Sequence, residues 1–474
     1  KFNPWSKYYV AINQATTFIA HIDECKELTG EEREVMKAEA RFLRAYYYFN
    51  LFKQYGPIYL WYDQIADLAI KSEVIDRNTV DECVSFIEKE MYDAAQILPK
   101  TIQDPTTWMG RMTKGAALGM RSRVLLFAAR PLFNGGGSIG YGRGMVNHEG
   151  KPIFPQGEDL NKWTKAAEAA KMVIDLDVYK LHFNKTETDP VLKAMNSYRE
   201  VFTEKWNEEL IWGNPVNTSA QLQQRILPCF KDKDWSHTSG PIPEVYPTFR
   251  MAELFYSQNG VPIEEDVNYD HPHRYQVVTV GDDHTYYIKK GERTAYLNLY
   301  REPRFYASVA YNGSVWHMLN ASAEDKEETN VPIFYYRDAQ DGYKAGTNYL
   351  STGIGIKKFV HPKDLADSEK SYDVSRVVQK YAPDIRYAEI LLNYAEALNE
   401  LQGADAVGPT CGLSARKAFE EVRSRAFAET HKAEAISYVN SLSSGDEFFN
   451  ALVDERAWEF AGEAIRKWDL IRWG

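Results

Sequence analysis

Cysteine is scarce in this chain. The 474 residues hold four, Cys25, Cys83, Cys229 and Cys411. They lie far apart with no C-x-x-C or C-x-x-H spacing, so neither a zinc ribbon nor a thioredoxin-type motif is supported. Parity allows two disulfides in three connectivities, but so few cysteines cannot be what the fold relies on. Long apolar runs are also missing. The longest, Val124 to Ala129, is far short of the roughly 20 residues that cross a bilayer. No signal peptide is visible, and because residue 1 is Lys the chain reads as processed or trimmed, with room for a targeting segment in the missing start. Positive charge is not in excess: 56 Lys and Arg face 67 Asp and Glu, for a net charge of −11. Without a Lys/Arg block to offset this, the chain lacks the basic face that nucleic-acid binding requires. Aromatics, by contrast, are abundant, with 31 Tyr, 22 Phe and 11 Trp. More Tyr than Phe means many rings with a polar tip, suited to surfaces that are half apolar and half wet.

Length alone suggests about three compact units of roughly 150 residues, or two large ones. Helical periodicity dominates the first third. Val35, Ala38, Phe42, Ala45, Phe49 and Phe52 recur every three or four residues and end at Gly56 and Pro57. A shorter stripe, Tyr9, Ile12, Thr16 and Ile19, precedes them, and the two read as an antiparallel helix pair. The stretch from Val80 to Leu98 and the stripe Ala117, Met120, Val124 and Phe127 form a second pair. A further helix carries Trp163, Ala167, Ala170 and Ile174, with Asp175 to Tyr179 as its terminating turn. From about 182 to 380 Pro and Gly recur, and alternation from Tyr275 to Val280 predicts short strands among loops. Helical pattern returns with Ala388, Leu391, Ala395 and Leu398, then Ala415 to Phe427, then Asp446 to Trp473. Paired helices of this size are akin to helical-repeat arrays, in which each hairpin buries its face against its neighbours.

Candidate chemistry is sparse. Gly135 to Gly140 matches G-x-G-x-x-G, but a helix precedes it and a Gly/Tyr loop follows, the reverse of a dinucleotide site. His271 and His273 could share a metal with His284 or Asp282, yet Pro272 separates them and a polar loop is favoured. Glu455, Glu459 and Glu463 fall on one helix face beside Arg456 and Arg466. As a glycosidase pair they would have to flank a cleft, so an Arg/Glu network is the preferred reading. Tryptophans in polar loops are the best functional signal. Trp235, Trp108 and Trp316 follow Asp, Asn, Ser or Gly-rich stretches with no apolar period to bury them, and an exposed indole suits stacking on a sugar ring.

Several segments then converge on one family. Ala38-Glu39-Ala40-Arg41-Phe42-Leu43-Arg44-Ala45-Tyr46-Tyr47-Tyr48-Phe49, continuing to Gln54-Tyr55-Gly56-Pro57-Ile58, resembles the signature helix of the SusD/RagB family of outer-membrane nutrient-binding lipoproteins from Bacteroidetes. Thr113 to Leu118 with Ser122 to Ala129 and Pro131 to Gly135 are similar to its second helical motif. Arg301 to Phe305 resembles its D-P-R-F turn and Thr352 to Phe359 its T-G-x-x-x-x-K strand. Arg386 to Glu400, and Glu455 to Phe460 with Arg466 to Gly474, resemble its two C-terminal signatures. The matches run in the family's order along nearly the whole chain.

The resemblance implies a mainly α fold of tetratricopeptide-like helix pairs with an irregular loop and short-strand ligand region. Residues 1–181 would be N-terminal helix pairs, 182–380 the insertion and 381–474 C-terminal helices, all in one body lacking both family ends. It further implies a non-catalytic protein with no cofactor. Such a protein sits on the outer face of the outer membrane, held by a lipid on an N-terminal Cys before Lys1. It captures oligosaccharides for a SusC-like TonB-dependent transporter; peptides are the cargo in some relatives. Relatives bind ligand on the side reached by the segment after Glu209 to Gly213. The residues there with chemistry for hydroxyl recognition are Asn214, Asn217, Gln221, Gln224, Trp235 and His237, with Trp316 added from its loop. Alternatives are capture of peptides or another non-sugar nutrient, a glycoside hydrolase using the C-terminal carboxylates, and a scaffold that binds only protein.

Overall fold

The computed structural model describes residues 3–66, 75–215, 222–223, 225–228, 243–284, 286–318, 331–339, 342–343, 349–363, 378–408 and 412–474. Helices dominate them. In chain order these are α1 Trp5–His21, α2 Gly30–Tyr55, α3 Val80–Ile97, α4 Pro105–Trp108, α5 Lys114–Ala129, α6 Asn161–Ile174, α7 Pro190–Thr203, α8 Phe249–Leu254, α9 Pro303–Ser308, α10 Tyr387–Gln402, α11 Ala415–Ala426, α12 Lys432–Ser441, α13 Asp446–Glu459 and α14 Arg466–Trp473. Six short strands, β1 Leu210–Asn214, β2 Val277–Thr279, β3 Arg293–Ala295, β4 Val309–Ala310, β5 Gly355–Ile356 and β6 Ala382–Arg386, pair antiparallel as β1 with β6, β2 with β3 and β4 with β5.

Local chemistry accounts for the helix ends. Thr29 and Glu32 form a capping box on α2, and Thr79 and Glu82 form the same box on α3, each satisfying two backbone donors that the first turn leaves orphaned. Gly56, with φ +73°, stops α2 in a conformation that costs a Cβ-bearing residue energy. The expected α2 stripe is buried from its second member on: Ala38, Phe42, Ala45, Phe49 and Phe52 are all inaccessible, while Val35 is half-buried. α5 is buried on almost every face because α2, α3 and α6 surround it. Gly115 sits where a Cβ would lie 2.1 Å from the Tyr179 hydroxyl, so only glycine fits there.

Packing runs in sequence from α1 to α2, α3, α5 and α6, and then jumps to α10 and α11. The first and last thirds of the chain therefore build one core. A second core gathers Tyr198, Phe202, Phe255, Phe305 and Trp458 from α7, the middle segment and α13.

The middle segment is more helical than its composition suggested. α7 packs against α9 and α11, burying Met195, Tyr198, Val201 and Phe202. The expected continuous helix from Asp446 to Trp473 is also corrected: it breaks after Glu459, where Gly462 and Ala464 take φ values of +78° and +60°. The break lets Glu463 turn inward.

A buried ion network joins the two cores. Arg386 reaches Glu209 at 2.7 Å, Glu459 at 2.6 Å and Glu463 at 2.8 Å. Arg304 contacts Glu302, Glu455 and Glu459 at 2.7, 2.6 and 2.9 Å. Arg425 binds Glu209 and Glu459, Arg423 binds Glu455, and Lys358 binds Glu463. Burial pushes the Glu459 carboxyl up, but Arg425, Arg386 and Arg304 outweigh it and hold the group well below the usual carboxylate range. Carboxylates so committed cannot flank a sugar.

Candidate ligand-binding groove

An open groove of about 780 Å³ lies between the first turns of α2 and the segment linking α3 to α5. Its floor is apolar, made by Leu28, Val35, Met36, Ile97, Ile102 and Met112. One wall is the short α4 turn. Asp104 caps it by accepting from the Thr106 and Thr107 N–H groups at 3.1 and 3.4 Å, and Pro105 fixes its first residue. That turn presents Trp108 with 51% of its surface exposed. The Arg111 guanidinium lies 4.9 Å from the indole centroid and donates two hydrogen bonds to Glu39, at 2.7 and 2.6 Å. The bidentate pair fixes the guanidinium plane, and the cation holds the indole by its quadrupole. Hydrogen bonding to Glu39 keeps Arg111 above its ordinary pKa.

A smaller lobe of about 210 Å³ adjoins the groove across Thr101, Ile102 and Arg111. It is bordered by Trp206, Asn207, Trp212 and Tyr179, and Trp206 packs on Tyr381 with centroids 3.8 Å apart. Beside Arg111, which lines both lobes, Gly110 lines the smaller one. Its φ is +99° and an added Cβ would lie 2.9 Å from Pro215, while its carbonyl accepts from Trp212 Nε1 at 3.3 Å. The chain leaving β1 thus departs beside the Trp108 turn. The arrangement offers a rigid aromatic face, an apolar floor and a rim of hydrogen-bonding groups, which is what a polyhydroxylated ring needs.

The expected site residues fare unequally. Asn214 ends β1, is exposed, and lines a separate cavity of about 320 Å³ with Lys53 and Trp468. Asn217, Gln221, Gln224, Trp235 and His237 lie outside the described residues. Trp316 is a correction: its indole is fully buried in a cluster with Ile226, Ile333 and Val360, so it presents no surface to a ligand. Its polar neighbours Asn312 and Gly313 form the turn, and the next strand-like residues carry the ring inward. Trp108 is exposed, as its polar stretch predicted. Arg111 and Glu39 were missed, because nothing local in the sequence pairs residues so distant.

Among the described residues no group of three or more His, Cys, Asp or Glu is arranged to hold a metal. His271 and His273 form a one-turn 3₁₀ helix in which His273 contacts Asp270. No helix among them is long and apolar enough to cross a membrane.

Sequential helix pairs carrying an irregular middle segment define a mainly α, tetratricopeptide-like fold. The SusD family profile matches residues 208–474, more than half of the chain, and a second profile described as starch-binding associating with outer membrane matches residues 1–126. The chain belongs to the SusD family.

SusD-like protein P25 of Formosa agariphila is 40% identical over 91 residues, a match covering 19% of this chain and 14% of that protein. Among solved structures, BT4246 superposes with a TM-score of 0.75 at 24% identity over 99% of this chain and 79% of its own. A SusD-like carbohydrate-binding protein from Bacteroides fragilis gives a TM-score of 0.63 at 21% identity over 99% and 72%.

Proposed function

We propose that this protein binds oligosaccharides at the cell surface through the Trp108 groove and passes them to a SusC-like TonB-dependent transporter, without cleaving them. Membership of the SusD family, the starch-binding and outer-membrane wording of the N-terminal profile, and the carbohydrate-binding name of the B. fragilis neighbour support the cargo and the location. The groove's share of the reading rests on one observation: an indole half exposed in a polar turn yet held rigid by the Arg111–Glu39 pair. A ring immobilised before the ligand arrives loses little entropy on binding. Absence of catalysis is supported by the C-terminal carboxylates, which are consumed in the buried network. Titration calorimetry against a neutral and acidic glycan panel tests the reading. Trp108→Ala should weaken binding by about 1–3 kcal/mol, the scale of losing one aromatic anchor, with an unchanged melting temperature. Equal affinity in that variant would remove the groove from the site.

A further inference from the structure

We infer that the sugar unit seated on Trp108 is uncharged, and that glycans bearing carboxylate or sulfate groups are turned away at this lobe; the inference rests on the groove being the glycan site. Four carboxylates border the groove, Glu31, Glu32, Glu39 and Asp104, against one cation, Arg111. The Arg111 charge is already met, because Glu39 takes two of its five N–H donors in a bidentate pair. That pair is close to neutral, so the remaining three carboxylates set the sign of the field.

The N-terminus of α2 opens onto the same groove and would by itself attract an anion through its backbone N–H groups. It is already occupied. Glu32 accepts from the Thr29 N–H at 2.7 Å and from the Thr29 hydroxyl at 2.8 Å, and Glu31 adds a second charge in the first turn. Asp104 is likewise spent on the α4 cap, yet keeps its charge at the rim. At physiological ionic strength charges act over about 8 Å, so a carboxylated or sulfated ring against Trp108 would meet net repulsion: among the described residues lining this lobe Arg111 is the one cation and is already paired, and nearby Arg33 is turned to the Cys25 and Leu28 carbonyls. The smaller lobe differs, having Lys100 and no carboxylate among its lining residues. Rejection is therefore a property of the Trp108 lobe and not of the molecule's net charge.

The test uses the intact chain. Maltoheptaose, laminarihexaose and the neutral members of a glycan panel are compared with oligogalacturonate and chondroitin sulfate oligomers, at 20 and 300 mM NaCl. Wild type, Trp108→Ala and the double variant Glu31→Gln/Asp104→Asn are titrated. Both amides keep the side-chain shape at exposed positions, and Asn retains the capping oxygen at 104. Every glycan whose binding depends on Trp108 should be neutral, with acidic glycans at least 10-fold weaker. The double variant should narrow that gap 3-fold or more at low salt and less at high salt. An acidic glycan that binds as tightly as a neutral one and depends on Trp108 overturns the inference while leaving the groove reading intact, as does an unchanged gap in the double variant. Glycan binding that ignores Trp108, or none at all, overturns the groove reading itself.

Discussion

Single side chains divide into those the fold has satisfied and those it has left under tension. Lys53 belongs to the second kind. Its ammonium lies 5.6 Å from the Phe49 ring centroid and 4.9 Å from that of Trp468, and among the described residues no carboxylate lies within 4 Å of it. Burial and the nearby Arg123 and Lys467 outweigh Asp384 and Glu389 and pull it down to about 8. A lysine whose folded pKa lies below its unfolded value costs stability while it is protonated. That cost is full below pH 8 and vanishes as the pH rises towards about 10.4, where the unfolded chain also loses the proton. Lys53→Met should therefore raise the unfolding free energy by about 1–3 kcal/mol at pH 7. Urea melts of the pair at pH 7 and pH 10 check this, and the gap should close at the higher pH. Trp108 marks the opposite case at this scale, an apolar ring left exposed and braced from behind.

At the scale of elements, caps decide where helices begin. The α3 box joins Thr79 to Glu82, whose carboxylate also takes the Lys151 ammonium at 2.5 Å. Lys151 first, and then the Thr79 N–H, hold Glu82 down at about 2. Thr79→Ala should cost about 1 kcal/mol in a chemical melt and leave glycan titrations unchanged, since α3 begins away from the groove. Thr29→Ala removes the matching cap on α2 but borders the groove, so it should alter both stability and binding. The elements also show where local pattern was enough. α2 has a strict three-and-four stripe, a capping box and a terminal glycine, all readable in the chain. α7 carries Ala194, Met195, Tyr198, Val201 and Phe202 at the same spacing, but the surrounding Pro- and Gly-rich composition hid it.

For the whole molecule, the buried Arg/Glu network ties the first core to the second. Glu459 alone meets Arg304, Arg386 and Arg425. Glu459→Gln leaves three guanidinium groups short of a carboxylate and should cost about 3–5 kcal/mol, seen as a single cooperative melt shifted to lower temperature. Acid should act on the same network. Glu459 and Glu463 are both held below their ordinary values by arginine and lysine neighbours that outweigh burial. Their stabilisation is present above the unfolded carboxyl pKa, about 4.3, and is lost as pH falls through the folded values. Circular dichroism along an acid titration should show a loss of structure below about pH 4 that is steeper than in Glu459→Gln.

The sequence by itself determined the helix pairs, their caps and the family, because periodicity, capping and linear motifs involve residues a few positions apart. It also pointed to Trp108, whose polar turn is a local property. Only tertiary structure decided what each side chain faces. Trp316 sits in as polar a turn as Trp108, yet Ile226, Ile333 and Val360 enclose it, and no local pattern announces partners so far along the chain. The groove has the same origin: Glu39 lies on α2 and Arg111 in the link between α4 and α5, and the acidic rim gathers residues from α2 and from the α4 turn. Charge and apolar surface act through space, and the chain carries that information only once folded.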